Sequence, residues 1–339
     1  MADSDLANLS DQLALGAVLL YVVAMVGYAL DLGFGLRRRQ REQAEQPAKV
    51  LVGAAVDAGG SSAVAAAEAA EESESGAEEG GGRGKTDWGR FAVLITVLGW
   101  GAHLGTLVTR GWAAERWPWG NMYEFLTAIA FAAVTAYLVV LARYRARFLG
   151  AFVMIAAVLA LGVATIWLYT PVGPLVPALR SYWIAIHVTA AIVATGAFTV
   201  GGAATILYLL RARRQEREEA REEAPGEKKG GLLALLPDAE VLDRLAYKVT
   251  VFAFPIWTFA IIAGAIWADE AWGRYWGWDP KEVWSFVTWV IYAGYLHARA
   301  TAGWKGRRAA VISLVGFAAL LFNFFGVNYM FEGMHSYAD

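Results

Sequence analysis

Apolar runs of about twenty residues recur along this chain, separated by short stretches dense in charge. A run of roughly 20 apolar residues spans the ~30 Å hydrocarbon core of a bilayer as a helix, and a soluble domain rarely needs one. The pattern predicts an all-α, polytopic membrane protein with about eight spans, near 12–32, 90–109, 123–142, 148–168, 183–210, 247–270, 283–299 and 309–330. Basic clusters follow every second run: Arg37, Arg38, Arg39 and Arg41; Arg143, Arg145 and Arg147; Arg211, Arg213 and Arg214; Lys305, Arg307 and Arg308. Their alternation places those four connections in the cytoplasm and both termini outside. Before the first run stand Asp3, Asp5 and Asp11 with no basic cluster, so residues 1–36 read as a retained first span and not a cleaved signal.

Two segments break the membrane pattern. Residues 37–87, with EESESGAEEGGGRGK at 71–85, read as a flexible cytoplasmic linker without a core. Residues 211–243 open on RARRQEREEAREE, a charged cytoplasmic linker that begins as a solvated extension of the fifth span. Residues 88–339 hold the remaining seven spans. The outer connections are unusual: GWAAERWPWGNM (111–122), TPVGPLVPALRSYW (170–183) and WGRYWGWDPKEVW (272–284) concentrate aromatic residues and proline.

Composition narrows the chemistry. The net charge of −2 gives no reason to expect a nucleic-acid partner. Absence of cysteine excludes disulfides, thiolate metal sites and a cysteine nucleophile. Four histidines remain: His103, His187, His297 and His335.

In WGRYWGWDPKEVW, Asp279, Pro280 and Glu282 spell a helix start with a capping box. The tryptophans have a bland reading as an interfacial belt. Trp272, Trp276, Trp278 and Trp284 with Tyr275 in one connection also fit an aromatic platform for a large, flat, apolar ligand. His187, just inside the outer end of the fifth span, and His335, in the tail beyond the eighth, fall on the same side as that platform. The pair suits the two axial positions of a haem iron. His297 lies fourteen residues into its helix from Val283, roughly 21 Å at ~1.5 Å per residue, toward the inner end. Ionisable groups at such depth face a cavity, a ligand or a partner. For His103 a hydrogen bond between helices and a ligand role stand equal.

At this point the residues resemble a known family. AWGRYWGWDPKEVWSFVTWVIYAGYLHAR (271–299) is similar to the tryptophan-rich WWD signature of the CcsA/ResC proteins of System II cytochrome c biogenesis. The likeness extends to PALRSYWIAIHV (177–188), to residues 306–339 and to HLGTLVTRGWAAERWPWGNMYEF (103–125), in order. The resemblance implies a haem-handling protein of the bacterial cytoplasmic membrane with its active face outside. With a CcsB/ResB-type partner it would carry haem b from the cytoplasm and present it for thioether attachment to the CxxCH cysteines of apocytochrome c. It implies cytochrome c synthase activity of the haem-lyase type, exerted in complex with the partner and dependent on a thiol reductant system. By motif position His187 and His335 would ligate haem outside, and His297 would ligate it within the membrane opposite a residue of the partner. Trp272, Trp276, Trp278 and Asp279 would serve the attachment site, with Tyr275 and Trp284 against the haem and Arg180 and Arg274 as candidate partners of the propionates. Two rivals remain: a membrane b-type cytochrome subunit passing electrons to quinone, and a transporter or lipid-linked transferase without haem.

Overall fold

The computed structural model describes residues 2–56, 87–173, 179–222 and 232–335. Among the described residues nine α-helices occur in order: α1 (Ala2–Val56), α2 (Trp88–Ala113), α3 (Met122–Tyr144), α4 (Gly150–Trp167), α5 (Tyr182–Glu222), α6 (Ala239–Trp272), α7 (Pro280–Thr301), α8 (Gly306–Leu321) and α9 (Val327–Met330), with a π-turn at Phe322–Gly326 joining the last two. No strand occurs among the described residues. Among the described residues seven segments are long and apolar enough to cross a bilayer, including Tyr182–Glu219 and the composite Gly306–Met330. The expected eighth, α7, forms where the sequence places it. It is not among those seven, since tryptophan, tyrosine, serine, threonine, His297 and Arg299 interrupt its apolar residues. The linker expectation for 37–87 meets a difference: α1 continues unbroken to Val56, and residues 57–86 lie outside the described residues. The charged linker likewise begins as helix, α5 running to Glu222, while 223–231 lie outside the described residues.

The helices pack in a bundle: α1 lies along α2, α5 along α6, α3 and α4 bridge the two pairs, and α7 pairs with α8. Between helices in lipid the hydrophobic effect contributes little, so close packing of small residues and polar contacts hold the contacts. At the α1–α2 seam Tyr21 is fully buried against Gly99, whose missing Cβ leaves the room for the ring. His103 completes that seam. Its Nε2 donates to the Thr127 carbonyl at 3.0 Å, which fixes the tautomer and leaves Nδ1 to accept from the Tyr21 hydroxyl at 3.2 Å. Both ring nitrogens are therefore engaged, and His103 is a bond between α1, α2 and α3.

Each end of the bundle is tied by charge. At the end that carries the basic connections, Arg299 grips Asp243 with two bonds of 2.7 and 2.9 Å and lies over the Tyr247 ring. At the opposite end Arg110 and Arg116 converge on Glu124, which is fully buried (Arg110 Nε–Oε1 2.9 Å, Arg116 Nη1–Oε2 2.7 Å). Glu124 also accepts from the amide of Gly120 at 2.7 Å, and Arg110 donates to the Thr170 carbonyl. This network pins the Trp117–Trp119 connection to the helix ends beneath it.

Candidate functional site

The tryptophan-rich connection is shaped by backbone requirements at its two ends. α6 stops at Gly273, which takes the left-handed conformation (φ 69°) and returns its amide to the Asp269 carbonyl at 2.8 Å. Asp279 then caps α7, and Glu282 folds back so that one oxygen accepts from the amides of both Asp279 (3.0 Å) and Gly277 (2.8 Å). The intervening segment wraps around Glu282, and Arg274 stands 3.6 Å from its other oxygen. Trp278 holds a left-handed φ of 57°, a costly conformation for a bulky side chain.

Asp279 does more than cap. One of its oxygens takes the Lys281 amide (3.1 Å) and His335 Nδ1 (2.8 Å); the other takes the Met334 amide (2.7 Å). The chain's last described residues are thereby folded onto the start of α7. Gly333 permits the approach, since a Cβ there would stand 2.5 Å from the Asp279 carboxylate. Burial would push the Asp279 carboxyl up, but His335 and the two amides outweigh it and hold it below the usual carboxylate range.

His187, on α5, is oriented from the other side. Its Nδ1 lies 2.7 Å from the Ala260 carbonyl of α6, in the gap left by Gly264, where a Cβ would come within 2.7 Å of the imidazole. Trp267, 1% exposed, joins the two imidazoles: its ring is parallel to His187 at 6.0 Å between centroids and edge-on to His335 at 5.6 Å. Trp272 packs on both Trp267 (4.7 Å) and His335 (4.8 Å). His187, His335, Trp267, Trp119, Tyr275 and Trp276 line one cavity of about 170 Å³, with Lys281, Asn323 and Asn328 among its polar groups.

The two histidines share one electronic arrangement. Carbonyl and carboxylate oxygens can only accept, so with neutral rings each Nδ1 carries the proton and each Nε2 keeps its lone pair. Neither Nε2 has a hydrogen-bond partner among the described residues. Among the described residues, three buried polar atoms of the cavity lining lack a hydrogen-bond partner: Trp119 Nε1, Asn323 Oδ1 and Glu282 Oε1, the last with Arg274 at 3.6 Å. Such a site offers two ligand nitrogens, aromatic walls and unsatisfied polar groups to a flat, metal-bearing guest.

The other residues singled out from the sequence fall elsewhere. Trp278 is 68% exposed, edge-on to Trp276, and Trp284 packs on Phe322 at 4.4 Å; neither lines the cavity. Arg180 is exposed at a separate groove of about 1400 Å³ that runs along α3 and α5 and meets the cavity at Trp119 and Gly120. His297 lies exposed on α7, remote from the cavity lining, with no hydrogen bond to its ring among the described residues. Sequence reading did not single out Trp119 within the aromatic connection 111–122, and missed Trp267, Lys281 and Asn323, which sit in ordinary apolar or capping contexts and gain their place from packing.

A family model described as cytochrome C assembly protein matches residues 119–335. Relatives include the cytochrome c biogenesis protein CcsA of Gloeobacter violaceus, 34% identical over 276 residues that cover 69% of this chain and 82% of that protein. CcsA of Synechococcus elongatus is 36% identical over 264 residues, covering 66% of this chain and 80% of that one. Among solved structures, the cytochrome c heme lyase CcmF is similar with a TM-score of 0.61 at 15% identity, over 94% of this chain and 46% of that chain. That likeness is one of fold, and this chain spans a little under half the length of that protein.

Proposed function

This chain belongs to the cytochrome c assembly protein family, and on that premise we propose that it receives haem b and presents it for thioether attachment to apocytochrome c. The observation that carries the proposal is the matched pair of imidazoles: His187 and His335 line one aromatic cavity, each with Nδ1 committed and Nε2 uncommitted. Orienting bonds of this kind are what metal-ligating histidines ordinarily have. Haem is cargo here, and a cavity of about 170 Å³ is too small to surround a tetrapyrrole, so loading requires its lining to move apart. The adjoining groove offers an apolar approach from the bilayer to that lining.

Attachment adds a thiol across a vinyl group: a carbon–sulfur bond forms, the S–H bond breaks, and its hydrogen ends on the neighbouring carbon. No electrons are gained or lost overall. This chain's part is to hold the iron through His187 and His335, to shield the ring edge with Trp272 and Trp276, and to keep both reactants in place. Asp279 orients His335. The thiols belong to the CxxCH motif of the acceptor, and with no cysteine in this chain their reduction falls to a separate reductant. The basic connections favour an outward-facing site in the bacterial cytoplasmic membrane with both termini outside.

A partner of the CcsB/ResB type is supported by α7. Its Phe286 and Val290 are exposed, and His297 stands on it with no partner for its ring among the described residues. In the complex that face would be covered and His297 would hold haem opposite a residue of the partner. A b-type cytochrome passing electrons to quinone needs paired imidazoles within the spans; His103, with both nitrogens engaged, does not supply one.

The test is to co-purify the chain with its partner and compare His187→Ala and His335→Ala with wild type for visible spectrum and holocytochrome c formed. Each substitution is expected to abolish attachment, and added imidazole to restore part of it by filling the vacant axial position. Wild-type amounts of c-type cytochrome from both variants would refute the proposal.

A further inference from the structure

We propose that Lys281 is a positioning residue for the His335 imidazole, acting through the π-turn that precedes the tail; the inference rests on the reading of His335 as a haem ligand. The tail reaches Asp279 only if α9 leaves the bundle at the right rotation. An extra residue in a helical turn rotates the succeeding turns by about 100°, and π-turns of this kind recur at functional sites. In this chain the inserted residue lies within Phe322–Gly326.

Two carbonyls of that turn are met by side chains. Lys281 Nζ donates to Asn323 O at 3.0 Å, and Asn328 Nδ2 donates to Phe324 O at 2.6 Å. Lys281 Nζ also donates to Asn328 Oδ1, so one ammonium grips the turn on both sides. The same residue's backbone amide donates to Asp279 Oδ1, the oxygen that receives His335 Nδ1. Lys281 thus joins both fastenings of the tail, the π-turn before it and the carboxylate on which it ends. Its ammonium points inward over Phe324, at 6.0 Å from the ring centroid, and no carboxylate lies within salt-bridge distance among the described residues. An ammonium drawn from water onto neutral acceptors contributes little net stability. What two directed N–H donors do supply is geometry, here the relative placement of α7, the π-turn and α9.

The experiment uses the full chain with its partner and compares Lys281→Met, His335→Ala and the double variant, each normalised to protein present in the membrane. Lys281→Met is expected to lower holocytochrome c about tenfold and to make both the haem spectrum and the output responsive to added imidazole. In imidazole the double variant should match His335→Ala, because two residues acting through one contact do not add. An unchanged spectrum and full output from Lys281→Met would overturn the proposal. So would a loss that imidazole does not restore while the protein accumulates normally. If Lys281→Met fails to accumulate, Asn328→Leu, which leaves Lys281 in place but removes one acceptor, is judged by the same two criteria. Failure of the underlying reading has its own signature: His335→Ala alone would leave the spectrum unaltered and insensitive to imidazole.

Discussion

At the residue scale, the two imidazoles of the cavity depend on different neighbours and so have different weak points. His187 needs an absence. Gly264→Ala would bring a methyl to 2.7 Å from Cε1, while alanine favours the helix by about 1 kcal/mol over glycine. The expected outcome is a chain that still accumulates in the membrane, the helix-propensity gain offsetting part of the overlap, and forms at least tenfold less holocytochrome c. Thermal unfolding followed alongside the haem spectrum separates the two effects. His335 needs a charge. Asp279→Asn keeps an N-cap acceptor, so α7 still starts in place, but the anion that orients the imidazole is gone. Outer-shell changes of this kind cost roughly 10- to 100-fold in activity, and a matching drop in attachment at unchanged membrane abundance is expected. The carboxyl is held below its ordinary range, so its contribution is complete above about pH 4 and is lost only as pH falls through the folded-state value. The capping role of Asp279 was readable from DPKE because a cap is satisfied within one turn. Its second role was not, because Met334 and His335 lie more than fifty residues away.

At the element scale, buried charge and exposed charge separate sharply. Glu124 pairs with both Arg110, which is 2% exposed, and Arg116 where α2 ends and α3 begins, and Asp11 stands 3.9 Å from Arg110. Removing one partner of a buried pair strands the other, a loss of roughly 3–5 kcal/mol. Glu124→Gln should therefore lower detergent stability markedly and release the loop that bears Trp119. By contrast, the Arg244–Glu240 pair is 60% and 81% exposed, and Glu240→Ala should alter stability by no more than about 0.5 kcal/mol. The same measurement on both variants checks the contrast. Helix positions were readable because a run of apolar residues long enough to span a bilayer declares itself. That α7 falls short of the apolar length of the other spans goes with the polar and aromatic residues along it, such as Thr288, Tyr292, His297 and Arg299, and its partner within the bundle, α8, was not readable.

At the scale of the whole molecule, orientation and partnership are the open faces of the proposal, and a chain without cysteine makes both directly testable. Cysteine introduced at Glu332 should react with a membrane-impermeant thiol reagent in intact cells, while cysteine at Lys305 should react only after permeabilisation. Cysteine at Val290 on α7, 47% exposed, should crosslink to the partner, whereas cysteine at Leu159 on α4, 63% exposed, should not. The reverse labelling pattern would reverse the proposed topology. By itself the sequence determined the helical membrane architecture, the alternation of basic connections and the helix start at Asp279, because each depends on residues near one another along the chain. Only the tertiary structure decided that Trp267 joins His187 to His335, that Asp279 receives the tail, that His103 is consumed by Tyr21 and Thr127, and that Trp278 and Trp284 stand apart from the cavity. Those outcomes turn on helix rotation and a single inserted residue at Phe322–Gly326, quantities that packing sets and that apolar periodicity does not encode.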